Sequence, residues 1–146
     1  DNGYMKIALY SKTARKIIGE LRDYIEKKGL NNSPEGIRKL RNEIKYGELK
    51  RFQSIVKWVD FFSISMCRDL CFHVLEHNYN LEEIKILLNN TNLEFIGFVI
   101  SREIKEIYKQ SYQQDKKQLN LDNWQEFEEI HQNVFYGMYQ FWVKKS

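Results

Sequence analysis

The chain has 146 residues, of which 42% are hydrophobic and 14% aromatic, enough to fill a sizeable core at the length of one domain. Its 23 basic and 20 acidic residues are interspersed without a run of five like charges, which leaves no basic stripe of the kind a nucleic-acid partner requires. One proline and seven glycines argue against disorder and against an all-β fold. No apolar run approaches the roughly 20 residues of a membrane span, and "YMKIALY" is too short for a secretory core and carries no cleavage signal. The two cysteines, Cys67 and Cys71, read as reduced thiols of a soluble, cytoplasmic protein.

In chain order, "YMKIALYS" (residues 4–11) reads as a short strand buried on both faces, after turn chemistry at Asp1, Asn2 and Gly3. Ile17, Ile18, Leu21 and Ile25 recur at helical spacing from Thr13 to Lys28, and Gly29 supplies a stop. Ser33 as cap and Pro34 at the first helical position start a second helix to about Tyr46. "ELKRFQSIVKWV" reads as a third. "DFFSIS" breaks the pattern, and Ser63 or Ser65 caps the next helix, which carries "CRDLCFHVLEH". Asn80 with Glu83 three residues on forms a capping box. "LEFIGFVIS" (93–101) is the second strand. A charged, Tyr-rich helix follows from Arg102 to Lys117, Asp122 caps another, and "VFYGMYQFWVKK" closes the chain as a helix.

The fold class expected is therefore mainly α with two short strands (α+β), as a single domain over 1–146. Its parts are strand 4–10, a helical cap 12–92, a second strand 93–100 and C-terminal helices 101–145. Two strands alone make a poor sheet, so either the helices form the core or the sheet continues elsewhere.

The densest chemistry lies in "CRDLCFHVLEH", residues 67–77. At 100° per residue Cys67, Leu70, Cys71, Val74 and Leu75 share one face; Arg68, Asp69, His73, Glu76 and His77 share the other, with Phe72 among them. The cysteines then read as small core hydrophobes rather than reactive thiols or ligands. His73 and His77, one turn apart, have a metal-ligand spacing, but Asp69 and His77 are about 12 Å apart along a helix axis, so one ion cannot take all three. A third ligand would have to come from elsewhere, and His131 is the remaining histidine, so no metal is expected. Two readings stay open for the polar face: Asp69 orients His73 as a base or substrate-binding group, or Asp69, His73 and Glu76 tie down neighbouring loops. At the end of the first strand, Tyr10, Ser11 and Arg15 would line a crevice outside its carboxyl end, unless Ser11 only caps the next helix. Tyr136, Tyr139, Phe141 and Trp142 read as core or interface aromatics. No phosphate-binding glycine motif, Ser-His-Asp set or zinc ribbon occurs.

"GYMKIALYS", "FFSISMCRDLCFHVLEH", "LEFIGF", "LDNWQEFE" and "FYGMYQFWVKK", in this order from Gly3 to the end, together resemble the C-terminal part of a group of class I S-adenosylmethionine-dependent methyltransferases often fused to tetratricopeptide repeats. The resemblance implies that "GYMKIALYS" is a late strand of a Rossmann-like sheet and that the helices from 12 to 92 are an insertion over the substrate side. It implies S-adenosylmethionine as cofactor of the full-length protein and none for this chain alone, because the glycine-rich loop and the ribose-binding acid are missing. Arg68 and His73 would face the substrate, with His73, supported by Asp69, as the candidate base. The acceptor substrate is unknown. The competing expectation is a helical interaction module that docks a protein partner, or a second copy, through the aromatic C-terminus.

Overall fold

A computed structural model describes residues 3–73 and 75–146. Val74, assigned above to the apolar face of the motif helix, lies outside the described residues. The fold is a mixture of α and β, and the chain divides into two compact units, Asp1–Arg15 with His77–Ser146, and Lys16–Glu76. Length alone suggested one domain. The division also moves the boundary of the helical segment from 12–92 to 16–76.

The first unit is built on a four-stranded sheet in the order β2-β1-β4-β3 among the described residues, with β1 Tyr4–Ser11, β2 Asn78–Tyr79, β3 Leu93–Phe98 and β4 Met138–Lys145. β1 runs parallel to β2 and antiparallel to β4, and β4 is antiparallel to β3, so β4 alone opposes the other three. The expected closing helix is therefore a strand. Its Tyr139, Phe141 and Val143 alternate with Met138, Gln140 and Trp142, a period of two that aromatic and β-branched residues fill well in a pleated ladder.

Period two also corrects the reading of β1 as buried on both faces. Ile7 and Leu9 pack on the core, whereas Tyr4, Lys6, Ala8 and Tyr10 project to the opposite face and are exposed. Helices α4 (Leu81–Asn90), α5 (Arg102–Ser111) and α6 (Leu121–Ile130) supply the core of this unit. Tyr108 stacks on Trp124 at 3.7 Å between ring centres, and Phe127 meets both edge-on. In β3 a bulge between Phe95 and Gly97, where glycine holds φ at +148°, resets the alternation. Phe95 and Phe98, three apart, thereby reach the same core with ring centres 4.8 Å apart.

Local capping follows the sequence in part. Asn80 and Glu83 form the reciprocal box that opens α4. α6 is capped by Asn120 rather than Asp122; the Asn120 Oδ1 accepts from the N–H groups of Asp122 and Asn123. α5 stops at Ser111 rather than Lys117 because Asp115 holds the next turn: its carboxylate accepts from the Tyr108 hydroxyl (2.7 Å) and from the N–H groups of Leu119 and Asn120.

The second unit packs most of α1 (Lys12–Lys27), α2 (Pro34–Tyr46), α3 (Ile64–Phe72) and two stretches of 3-10 turn at Lys50–Lys57 and Val59–Phe61 around Leu21, Ile37, Leu40, Phe52 and Phe61. α1 ends in a Schellman motif at Gly29: Leu30 N–H donates to Ile25 O and Gly29 N–H to Glu26 O, with Gly29 at φ +62°. Ser33 caps α2, with Pro34 following. The third expected helix is 3-10 turn. Among the described residues no helix is long and apolar enough to cross a membrane.

Candidate functional site

The carboxyl ends of β1, β2 and β3 lie at one edge of the sheet, as the pairing of Ser11 with Tyr79 and of Tyr10 with Met138 requires. Crevices at this edge are where open α/β sheets bind ligands. Of the three residues expected there, Tyr10, Ser11 and Arg15, only Tyr10 is exposed. The Arg15 guanidinium stands over its ring, 4.4 Å from the centre. That spacing suits a cation–π contact.

Ser11 departs from the expectation. It follows Ile7 and Leu9 onto the core face and is fully buried. Its hydroxyl does two internal tasks: the oxygen accepts from Ala14 N–H (3.1 Å), capping α1, and the hydroxyl donates to Glu128 Oε1 (2.6 Å). Tyr139 donates to the other carboxyl oxygen, also at 2.6 Å. A fully buried carboxyl group is thus closed by two hydroxyls from two strands. Burial pushes Glu128 above the usual carboxylate range, against the pull of the hydrogen bonds from Ser11 and Tyr139. Burial, then the bond to Glu128, drives the Tyr139 phenol upward as well.

Glu128 and Tyr139 were not singled out from the sequence, although a signal was present. Glu128 falls four residues after Trp124 and seven after Leu121, a charged residue on the apolar stripe of α6. A further polar atom at this edge is Asn78 Oδ1, beside Tyr10 in the register, buried and without a hydrogen-bond partner among the described residues. Lys12, the first residue of α1, pairs with Glu83 of the capping box. That contact, followed by the Asn80 N–H, holds the Glu83 carboxyl below its ordinary range.

The motif of residues 67–77 belongs to the other unit. Ser63 caps α3, and Cys67 and Cys71 face its core as expected, buried with their sulfurs 3.9 Å apart. The helix does not continue to His77. It ends at Phe72, and His73 has extended backbone. Arg22 Nη2 donates to Leu70 O at 2.8 Å and so takes an acceptor that a longer helix would use for its own ladder. The same Nη2 bonds Glu76 at 2.9 Å. The polar face drawn for His73, Glu76 and His77 on one helix therefore does not exist. Asp69 and His73 are exposed, and among the described residues no hydrogen bond or ion pair joins them. Arg68 Nε donates to Asn32 O at 3.0 Å, tying α3 to the loop before α2. Of the three residues the plainer reading gave as ties, Glu76 makes such a contact, with Arg22, and Arg68, which that reading did not include, makes another. Among the described residues no three His, Cys, Asp or Glu side chains come together as a metal site. No protein-family model matches the chain, and no curated protein is significantly similar to it.

Proposed function

We propose that this chain is the C-terminal, substrate-recognising part of a class I S-adenosylmethionine-dependent methyltransferase of Rossmann-like type, and that it works with a cofactor-binding half that it does not contain. The observation that carries the reading is the sheet. Three strands run one way with their carboxyl ends at one edge, and a single antiparallel strand completes them. Mixed sheets of this kind are common among doubly wound folds. β2 pairs with β1 only at Tyr10 and Ser11, so from Tyr4 to Leu9 that side of β1 has no partner strand among the described residues. An open edge of this length is where further parallel strands can add. The sequence resemblance supports the same reading.

The residues present do not fit the methyl donor. β1 passes from Ser11 directly into α1 at Lys12, with no glycine in the turn, and Ser11 itself occupies the cap. That leaves no cradle for a cofactor, and no chemical step is assigned to it in this chain. The roles left are those of recognition. Tyr10 presents an aromatic face at the carboxyl edge, backed by the buried Arg15 guanidinium that stands over its ring, and the hydrogen bonds of Glu128 to Ser11 and Tyr139 hold the strand ends behind it. Arg68, Asp69 and His73 remain surface candidates for contact with the acceptor.

Isothermal calorimetry with S-adenosylmethionine tests the division of labour: no heat of binding is expected from this chain, and saturable binding would overturn it. The coding sequence upstream of Asp1 tests the class. A glycine-rich strand-loop-helix is expected there, and its absence from a full upstream reading would sink the assignment. A second reading, a module that pairs through its aromatic C-terminus, draws support from Tyr136 and Trp142, which are 85% and 43% exposed. A stable homodimer that protects residues 136–142 would favour it.

A further inference from the structure

At the carboxyl end of β3 and the start of β4 lies a cleft of about 260 Å³, walled mainly by Ile100, Ile104, Val134, Phe135 and Met138. No charged side chain lines it. A ligand that carried a charge into such a wall would lose hydration without gaining a partner. Of the polar wall residues, the Ser101 oxygen accepts from Ile104 N–H as the cap of α5. Gln140 differs: its carboxamide makes no hydrogen bond among the described residues, and it is half-buried at the cleft. An apolar pocket with a few polar groups is the usual composition of a small-ligand site, and here the Gln140 carboxamide within the cleft and the Tyr136 hydroxyl at its rim are the ones the fold does not use among the described residues.

Size narrows the class. A dry cavity of about 150 Å³ takes benzene, so this cleft has room for one ring with a short substituent. Its walls favour a flat ring, since Met138 offers a polarisable sulfur that pairs well with an aromatic edge, while the Phe135 ring is buried behind the wall against Phe98, Trp124 and Tyr139. Tyr136 stands at the rim, exposed, with φ at +49°. Left-handed backbone is uncommon for a bulky side chain and clusters at ligand sites. Here it is held by the Tyr136 N–H on Asn133 O.

We propose that this cleft binds a neutral, single-ring aromatic molecule with one hydrogen-bonding substituent. The ring sits among Met138 and the branched side chains of Ile100, Ile104 and Val134, and the substituent meets the Gln140 carboxamide. This site does not depend on the methyltransferase reading, and its test uses no methyl donor, so either can fail alone.

The test is a titration of the ¹⁵N-labelled chain with p-cresol and, separately, with toluene, followed by amide shifts. Saturable shifts confined to residues 99–104 and 134–140 are expected, with p-cresol the tighter of the two. Gln140→Leu should remove the advantage of p-cresol while leaving toluene binding in place. Ile104→Trp, which fills the cleft, should weaken both probes by more than about tenfold. Shifts that do not saturate, or that spread over the exposed aromatics elsewhere, would overturn the site. So would a preference for p-cresol that survives Gln140→Leu. Should Ile104→Trp not give a folded spectrum, the Gln140→Leu comparison decides the question without it.

Discussion

The Ser11 hydroxyl donates to Glu128 Oε1 at 2.6 Å, and this bond ties the end of β1 to α6 across 117 residues of sequence. Tyr139 closes the other oxygen of the same carboxyl group. Burying a carboxyl group is costly unless its oxygens are hydrogen-bonded, and both are. The cluster joins the carboxyl end of β1, the start of β4 and α6 at three points of the sequence.

The pH dependence of this cluster has a definite sign. Burial raises Glu128 above its ordinary range, so the folded state holds the proton more tightly than the unfolded chain does. The stability it contributes is fully present below the unfolded value, about 4.3, and is lost as pH rises through the folded value. Glu128→Gln keeps a side-chain oxygen and an N–H for the two hydroxyls but does not titrate. In urea unfolding from about pH 4 to about pH 7, the Gln variant should gain on the wild type as pH rises. A gap that stays constant across the series would refute this. Glu128→Ala leaves both hydroxyls buried without their acceptor and should cost about 3 kcal/mol at about pH 4, less as pH rises.

Asp115 runs the opposite way. Burial pushes its carboxyl up, but the hydrogen bonds from Tyr108 and from the backbone of Asn120, Leu119 and Gln118 together hold it below the ordinary range. Its contribution is present above the unfolded value and is lost as pH falls through the folded one. Asp115→Asn should therefore flatten the acid limb of the stability curve and cost about 1–2 kcal/mol at neutral pH. An acid limb as steep as that of the wild type would show that Asp115 does not control it.

Much of the helical part was legible from sequence because caps and apolar stripes are local. Ser33-Pro34, Asn80-Glu83 and Gly29 each act within a few residues of themselves. The errors arose where a distant partner decided the outcome. At the end of α3 the Leu70 carbonyl is bonded by Arg22, 48 residues away, a partner that no local pattern announces. β4 is a strand because β1 and β3 flank it, and a short stretch such as "MYQFWV" satisfies either period until those partners are known. The site followed the same rule. Tyr10 and Arg15, both named from the strand end, are in contact, whereas the acceptor for Ser11 lies on α6, beyond any local pattern.

The cysteines make a test of access. Cys67 and Cys71 are buried on α3, and the hydrogen bond from Cys71 draws the Cys67 thiol below its usual range against the effect of burial. A lowered thiol pKa favours reaction, and burial blocks the reagent. Burial should dominate. Iodoacetamide should modify both cysteines slowly in the native protein, and the rate should rise with urea in step with the loss of helical circular dichroism. Fast modification of Cys67 without denaturant would instead mark a reactive thiol.

Two helical glycines should respond in opposite directions to alanine. At Gly36, in the first turn of α2, an added Cβ would lie 2.2 Å from the Asn31 carbonyl oxygen, a backbone atom that cannot swing aside. Displacing the loop that carries Asn31 also disturbs Ser33, whose N–H bonds Asn31 Oδ1 and whose hydroxyl caps the helix. Gly36→Ala should cost about 2 kcal/mol. Gly19, inside α1, has nothing within 4 Å of such an atom and is exposed. There alanine only removes backbone freedom from the unfolded chain, and Gly19→Ala should gain about 0.5–1 kcal/mol. Urea midpoints at constant slope measure both changes. If Gly36→Ala proved neutral, the Asn31 carbonyl would have to be free to move, and the loop before α2 could not be the fixed anchor that Arg68 holds through Asn32.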